Sequence, residues 1–214
     1  MIRIIDGRLR HRYANEMDAM HRIRKKVFHD RMKWDVSVIN DWEIDGYDAL
    51  APVYLACVDE LGRVVGGLRL LPTTGFTMLN DTFPVLLPDA CRIESPLIWE
   101  SSRFSVDHEA DVAIGKKGLS RATAELGLAM NEIGAQTGLT HIVTVYDAFM
   151  HRILKRAGCA GVPIGPPQMV GAVLTYAVFF DVCAETEAAL RRASEIQGSV
   201  LEDAGKVREI LRAA

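Results

Sequence analysis

The chain lacks any apolar run long enough to cross a bilayer as a helix. Its longest, Met169 to Phe180, is about half of the ~20 residues a span requires. Met1-Ile2-Arg3-Ile4-Ile5-Asp6 is too short and turns polar too soon for a signal peptide, so none is expected. The cysteines Cys57, Cys91, Cys159 and Cys183 are scattered, with no CxxC pair and no metal-ligand spacing. That distribution argues against a disulfide scaffold and fits reduced thiols in a cytoplasmic protein. The six histidines show no zinc spacing either. No G-x-S-x-G elbow, HExxH helix or Walker loop is present, so a hydrolytic triad, a metalloenzyme and a nucleotide triphosphatase all lose ground. A net charge of −3 argues against nucleic acid as a partner held by bulk charge. No repeat, low-complexity stretch or interdomain linker breaks the sequence, so residues 1–214 read as a single domain.

What is present is a large apolar fraction, 49%, in an alternating order of elements. Ile2 to Ile5 reads as a short strand. Ala14 to His29 reads as a helix, with Met17, Met20, Val27 and Phe28 on one stripe and Arg24 inside it. A lone arginine there can snorkel outward. Residues 30–50 read as irregular. Val53–Val58 and Val64–Leu71 form a hairpin, ended by Pro72-Thr73-Thr74-Gly75. Trp99–Val106 is a third strand, Ser120–Thr137 a helix closed by Gly138, and His141–Tyr146 a strand. Ala148–Ala157 is a helix capped by Gly158, and Ala172–Phe180 a final strand. Glu185–Arg212 reads as one charged amphipathic helix, weakened by Gly198 and Gly205. Antiparallel strands followed by strand–helix–strand units predict an α/β fold, a three-layer α/β/α sandwich around a mixed sheet. The crossover from 141–146 through 148–157 to 172–180 is expected to be right-handed.

The informative stretch is Trp99-Glu100-Ser101-Ser102-Arg103-Phe104. It places both signs of charge in a strand that otherwise reads as buried, and buried charges need partners. Arg69 likewise lies between leucines in a strand. Upstream lie Arg24, Phe28 and Trp34, then Glu43-Ile44-Asp45-Gly46-Tyr47-Asp48. Taken singly, each of these reads as a structural ion pair.

Taken together, Arg24, Phe28, Trp34, Asp45, Asp48, Arg69, Glu100 and Arg103, with Arg69-x-x-Pro72-Thr73, Met78-Leu79 and Phe83, resemble the acyl-homoserine-lactone synthases, the autoinducer synthases of bacterial quorum sensing. The resemblance is close over about residues 20–106 and looser beyond, where Arg156-Ala157-Gly158 also fits. It implies an N-acetyltransferase-like fold and no cofactor, S-adenosylmethionine being a substrate. The amine of S-adenosylmethionine attacks an acyl thioester carbonyl. The methionine carboxylate then closes the lactone on its own γ-carbon and expels methylthioadenosine. The acyl donor is acyl carrier protein or acyl-coenzyme A.

On that resemblance Glu100 is the base that frees the amine, directly or through a water. Backbone N–H groups near Ser101 to Arg103 are candidate oxyanion donors. Strict alternation sends Glu100 and Arg103 to opposite sheet faces, so a shared site requires a bulge or contact from another layer. Phe28, Trp34 and Trp99 are candidates for the sulfonium cation. Arg103 or Arg24 suits the substrate carboxylate and Asp45 its amine, while Asp48 and Arg69 suit a buried pair shaping the pocket, with Phe104 beside them. The second half is expected to hold the acyl chain between splayed strands 141–146 and 172–180, with Thr144 near the chain's 3-position. Arg152 and Arg156 share a helix face and suit an acidic carrier protein, though a solvated face explains them equally. Gly115-Lys116-Lys117-Gly118 can cradle a phosphate, although an ordinary helix start is the simpler reading. A coenzyme-A-dependent N-acyltransferase for another amine and a non-catalytic acyl-carrier-binding module remain alternatives. No metal, nucleic acid or membrane is expected.

Overall fold

Hydrophobic alternation along the 53–72 hairpin decides how the layers stack. Val53, Leu55 and Cys57 join one apolar cluster, while Tyr54 and Ala56 join another on the opposite face. Both faces are therefore covered by helices.

The computed structural model describes residues 1–110 and 118–212. In chain order it has β1 (Ile2–Asp6), then α1 (Ala14–Arg24), which runs on into a π-helical turn at Lys25–Arg31. A small hairpin, β2 (Val38–Ile39) and β3 (Trp42–Glu43), precedes β4 (Val53–Val58), β5 (Val64–Pro72) and a short α2 (Met78–Asp81). Then come β6 (Ile98–Val106), α3 (Arg121–Thr137), β7 (His141–Asp147) and α4 (Ala148–Ala157). The chain ends with β8 (Val162–Pro163), β9 (Gln168–Val170), β10 (Val173–Asp181), α5 (Ala184–Ser194) and α6 (Val207–Arg212). The main sheet runs β1-β4-β5-β6-β7-β10-β8, with β9 also on β10. β6 and β7 are parallel and the other pairs antiparallel. The result is the expected three-layer α/β/α sandwich.

α1 and α2 lie on one face of the sheet. The other face carries α3, whose Leu126, Leu128 and Ile133 are fully buried, together with α5 and α6. α1 packs very close to β5 because position 67 is glycine. A Cβ there would lie 2.8 Å from Leu55 O and run into the Met20 side chain.

β6 carries a bulge. Gly67 pairs with Ser105, but Arg69 pairs with Ser102, so β6 spends one more residue than β5 between these points. Arg103 absorbs the irregularity with φ +54. The strand's alternation resets there. Trp99 and Phe104 both pack against the α3-side cluster, although they are an odd number of positions apart. Glu100, Ser102 and Arg103 share the α1 side. This is the bulge that a common site for Glu100 and Arg103 requires.

Two expectations are corrected. The 141–146 and 172–180 strands are antiparallel neighbours, so no right-handed crossover joins them. The excursion through β8 and β9 turns the chain back on itself, and the parallel connection is instead β6–α3–β7. The C-terminal helix is not continuous either. It stops at Ser194, with Glu195 left-handed at φ +61. The segment that follows covers the open edge of β1, with Ile2 N–H donating to Val200 O at 2.7 Å and Glu202 N–H to Ile2 O at 2.9 Å. Pairing a sheet edge outweighs helix propensity here.

Candidate active site

Three guanidinium groups and three carboxylates form a closed network under the α1 face. Arg24 donates through Nε to Glu43 at 2.6 Å and through both terminal nitrogens to Asp48 at 2.9 Å each. Arg69 bridges Asp48 at 3.0 Å and Asp45 at 3.0 Å, and its Nε donates to Ser102 Oγ at 3.1 Å. Arg103 pairs with Glu43 and Asp45, each at 2.9 Å. The formal charges cancel, which is what permits the Arg24, Arg69 and Glu43 side chains to be 2%, 0% and 0% exposed. Asp48 also accepts from Tyr54 OH and from Asp45 N–H. Burial would raise its pKa, but Arg24 and Arg69 outweigh that and hold it well below the ordinary carboxylate range.

Glu100 sits apart from this network. Its carboxylate accepts Met78 N–H at 2.9 Å and Leu79 N–H at 2.6 Å, both from the first turn of α2. Burial pushes its pKa upward, and these two N–H groups only partly offset the shift. A buried carboxylate with a raised pKa is a stronger base than an ordinary one once ionised.

Glu100 and Arg103 both line a cavity of about 1040 Å³. On the α1 side its wall includes Phe28, Trp34 and Met78. On the other side it reaches Thr144 and Tyr146 of β7, Thr123 of α3 and Leu190 of α5. The cavity spans both faces because β6 and β7 part company. Their pairing ends at Ser101↔Thr144, while β6 continues to Val106 and β7 to Asp147. The predicted opening between 141–146 and 172–180 is therefore wrong, since those strands pair from Thr175↔Asp147 to Asp181↔His141.

The sequence-derived candidates divide into groups. Phe28 and Trp34 stack with centroids 5.5 Å apart, and the Arg103 guanidinium lies 5.3 Å from the Phe28 centroid. Phe28 thus already serves a cation, while Trp34 lines the cavity without one. Arg24, Asp45, Asp48 and Arg69 stand behind the wall rather than in it. Arg24 is saturated by Glu43 and Asp48, so the substrate-carboxylate role suggested for it is corrected. Trp99 is also corrected, because it packs into the α3-side core and does not line the cavity. Phe104 and Thr144 line the cavity. Thr144 Oγ1 donates to Ser101 O at 2.8 Å, and the buried Ser101 Oγ has no partner among the described residues. Arg103 Nε is likewise buried and unpartnered among them. Both residues line the cavity, and a buried donor left without a partner is costly. Among the described residues no group of three or more His, Cys, Asp or Glu side chains is placed to hold a metal. No described helix is long and apolar enough to cross a membrane.

The autoinducer synthase family model matches residues 8–190. The chain belongs to this family. It is 40% identical over 166 residues to the acyl-homoserine-lactone synthase of Agrobacterium fabrum, covering 78% of this chain and 79% of that one. It is 35% identical over 215 residues to that of Rhizobium etli, covering 96% and 99%. Among solved structures it is similar to the coenzyme-A-dependent acyl-homoserine lactone synthase BjaI, solved with S-adenosylmethionine and isopentyl-CoA. That match has a TM-score of 0.80 and 27% identity over 99% of each chain. The acyl-homoserine-lactone synthase LasI matches with a TM-score of 0.77 and 32% identity, over 92% of this chain and 98% of that one. An N-acetyltransferase of Lactobacillus plantarum, described as putative, shares the fold alone, at 15% identity and TM-score 0.54 over 85% of this chain and 99% of that one.

In this autoinducer synthase Arg152 and Arg156 lie on the exposed face of α4, joined by Lys155, which the sequence reading passed over. The Arg156 guanidinium lies over Gly118. The rest of the Gly115–Gly118 segment falls outside the described residues. Glu43 was also passed over as a site residue, as were Ser101 and Ser102. Glu43 stands in a two-residue strand with no periodicity to mark it, and its one signal is proximity to Asp45.

Proposed function

We propose that this chain makes an N-acyl-homoserine lactone from S-adenosylmethionine and an acyl thioester. The observation that carries the reading is the bulged β6. It brings Glu100 and Arg103 to one side of the sheet, at the point where β6 and β7 separate. S-adenosylmethionine occupies the α1 side and the acyl chain the α3 side, so the two halves of the single domain divide the substrates between them. The thioester carbonyl lies in the gap. Glu100 takes the proton from the amine, directly or through a water, and the freed nitrogen attacks the carbonyl carbon. Backbone N–H groups freed from pairing at the bulge face the developing oxyanion. The amide forms and the thiol departs with a proton. The methionine carboxylate, held near the Arg103 guanidinium until then, attacks the γ-carbon and displaces neutral methylthioadenosine.

Trp34 offers its face to the sulfonium. Trp34→Leu is expected to raise KM for S-adenosylmethionine about five- to thirtyfold with kcat little changed, and Trp34→Phe to retain most of the affinity. Equal KM values for the three proteins would remove Trp34 from this role. An oxygen on the acyl chain near Thr144 meets Ser101 Oγ–H as its donor, because the Thr144 proton is committed to Ser101 O.

The donor is an acyl group on either coenzyme A or acyl carrier protein, and BjaI is solved with isopentyl-CoA. Arg152 and Arg156 suit the acidic carrier. Reversing both, Arg152→Glu with Arg156→Glu, is expected to raise KM for acyl-carrier thioesters about tenfold at low salt and leave coenzyme A thioesters unchanged. A uniform effect on both donors would argue against docking there. The test of the function itself is incubation of purified protein with S-adenosylmethionine and a panel of acyl thioesters. Methylthioadenosine and free thiol should appear in equal amounts, and folded protein that yields neither would overturn the proposal.

A further inference from the structure

Gly127 sits in the middle of a 17-residue helix, α3, where glycine is destabilising relative to alanine. No backbone demand explains it. Its φ is not left-handed, and a Cβ built there would touch no backbone of another element. It would meet the Leu190 side chain alone, at 3.3 Å from Cδ2 and 3.5 Å from Cδ1. Gly67, by contrast, is held by a carbonyl at 2.8 Å. Leu126 and Leu128 on either side are fully buried, yet Gly127 is only half-buried, because it opens onto the cavity. Thr123, Gly127, Met130 and Asn131 recur at helical spacing on the cavity face, with Thr186 and Leu190 of α5 also lining it.

Resting on the synthase reading, we infer that the missing side chain at position 127 lets Leu190 pack back against α3 and so keeps open the inner end of the acyl passage that both residues line. Leu190 is its adjustable stop. The substrates this selects are long, unbranched acyl thioesters whose methyl end reaches α5, in preference to short or branched ones. A branched side chain at 127 would push Leu190 out into the passage and shorten it. It would leave Glu100, Arg103 and the S-adenosylmethionine side untouched.

The test is a ladder of straight-chain thioesters from butanoyl to tetradecanoyl, assayed with wild type, Gly127→Val, Gly127→Ala and Leu190→Ala. Wild type should favour the long members. Gly127→Val should lower kcat/KM for dodecanoyl thioester about tenfold or more relative to butanoyl, the scale of methylene-level discrimination in an apolar pocket. KM for S-adenosylmethionine should stay within about twofold. Gly127→Ala should change the profile little, and Leu190→Ala should shift it toward longer chains. A profile that falls evenly, or does not move in any variant, overturns the inference. If Gly127→Val folds poorly, the Leu190→Ala arm still decides. Calorimetric binding of a dodecanoyl thioester reads the passage without turnover. Chain-length-dependent binding without lactone would sink the synthase reading alone, whereas lactone formation with an unmoved profile would sink the passage alone.

Discussion

Glu100→Gln is expected to lower kcat/KM by about 10²- to 10⁴-fold, the usual contribution of a positioned general base. S-adenosylmethionine binding should survive, because Arg103 and Trp34 remain. The substitution is not neutral in structure. Glu100 accepts N–H groups on both carboxylate oxygens, and glutamine can accept only one of them while turning an NH₂ toward the other. A melting temperature a few degrees lower is therefore expected alongside the lost turnover. The pH profile separates the two effects. Burial raises the Glu100 pKa, and only the ionised form is a base, so wild-type kcat/KM should fall as pH drops through that raised value. The variant's residual activity should lack that limb. A variant with wild-type kcat/KM, or one that keeps the limb, removes Glu100 from the base role.

The second large effect belongs to the network beneath the site. Asp48→Ala takes one carboxylate partner from each of two buried guanidinium groups, Arg24 and Arg69, and the acceptor from the Tyr54 hydroxyl. Removing one member of a buried ion-pair set costs about 3–5 kcal/mol, which for a chain of this size is a fall of roughly 10 °C in Tm. Asp18→Ala, which breaks the exposed pair with Arg22 and the bond from Trp42 Nε1–H, should change Tm far less. The Asp48 pKa is depressed on folding, so its contribution is present above the unfolded carboxylate pKa and is lost only as pH falls toward the lower folded value. Wild type should therefore lose stability in acid more steeply than Asp48→Ala. Melting temperatures within about two degrees of each other at neutral pH would mean that the network contributes little.

Much of this was legible before any coordinates. The hairpin 53–72 follows from β-branched and apolar runs split by a Gly-bearing turn. Helices 121–137 and 148–157 follow from their stripes and from the glycines that cap them. Arg69 and Arg24 stood out as charges in apolar surroundings. What was not legible depended on partners distant in sequence. The β6 bulge is a mismatch between two strands, so alternation in β6 alone could only state that one was needed. Trp99 neighbours Glu100 in sequence, but the pleat sends it the other way. The helical composition of 185–212 concealed the demand of the β1 edge for a pairing partner. The site opens where β6 and β7 part beyond Ser101 and Thr144, and no local pattern in either strand announces that separation.

The most direct test of the account is a crystal structure of the protein with S-adenosylmethionine and a non-reactive acyl thioester analogue bound together. The amine nitrogen should lie within hydrogen-bond reach of the Glu100 carboxylate, directly or across one water. The thioester carbonyl should sit in the gap beyond Ser101 and Thr144, with the acyl chain running down the α3 side. An amine turned away from Glu100, or an acyl chain that enters anywhere other than between β6 and β7, would contradict it.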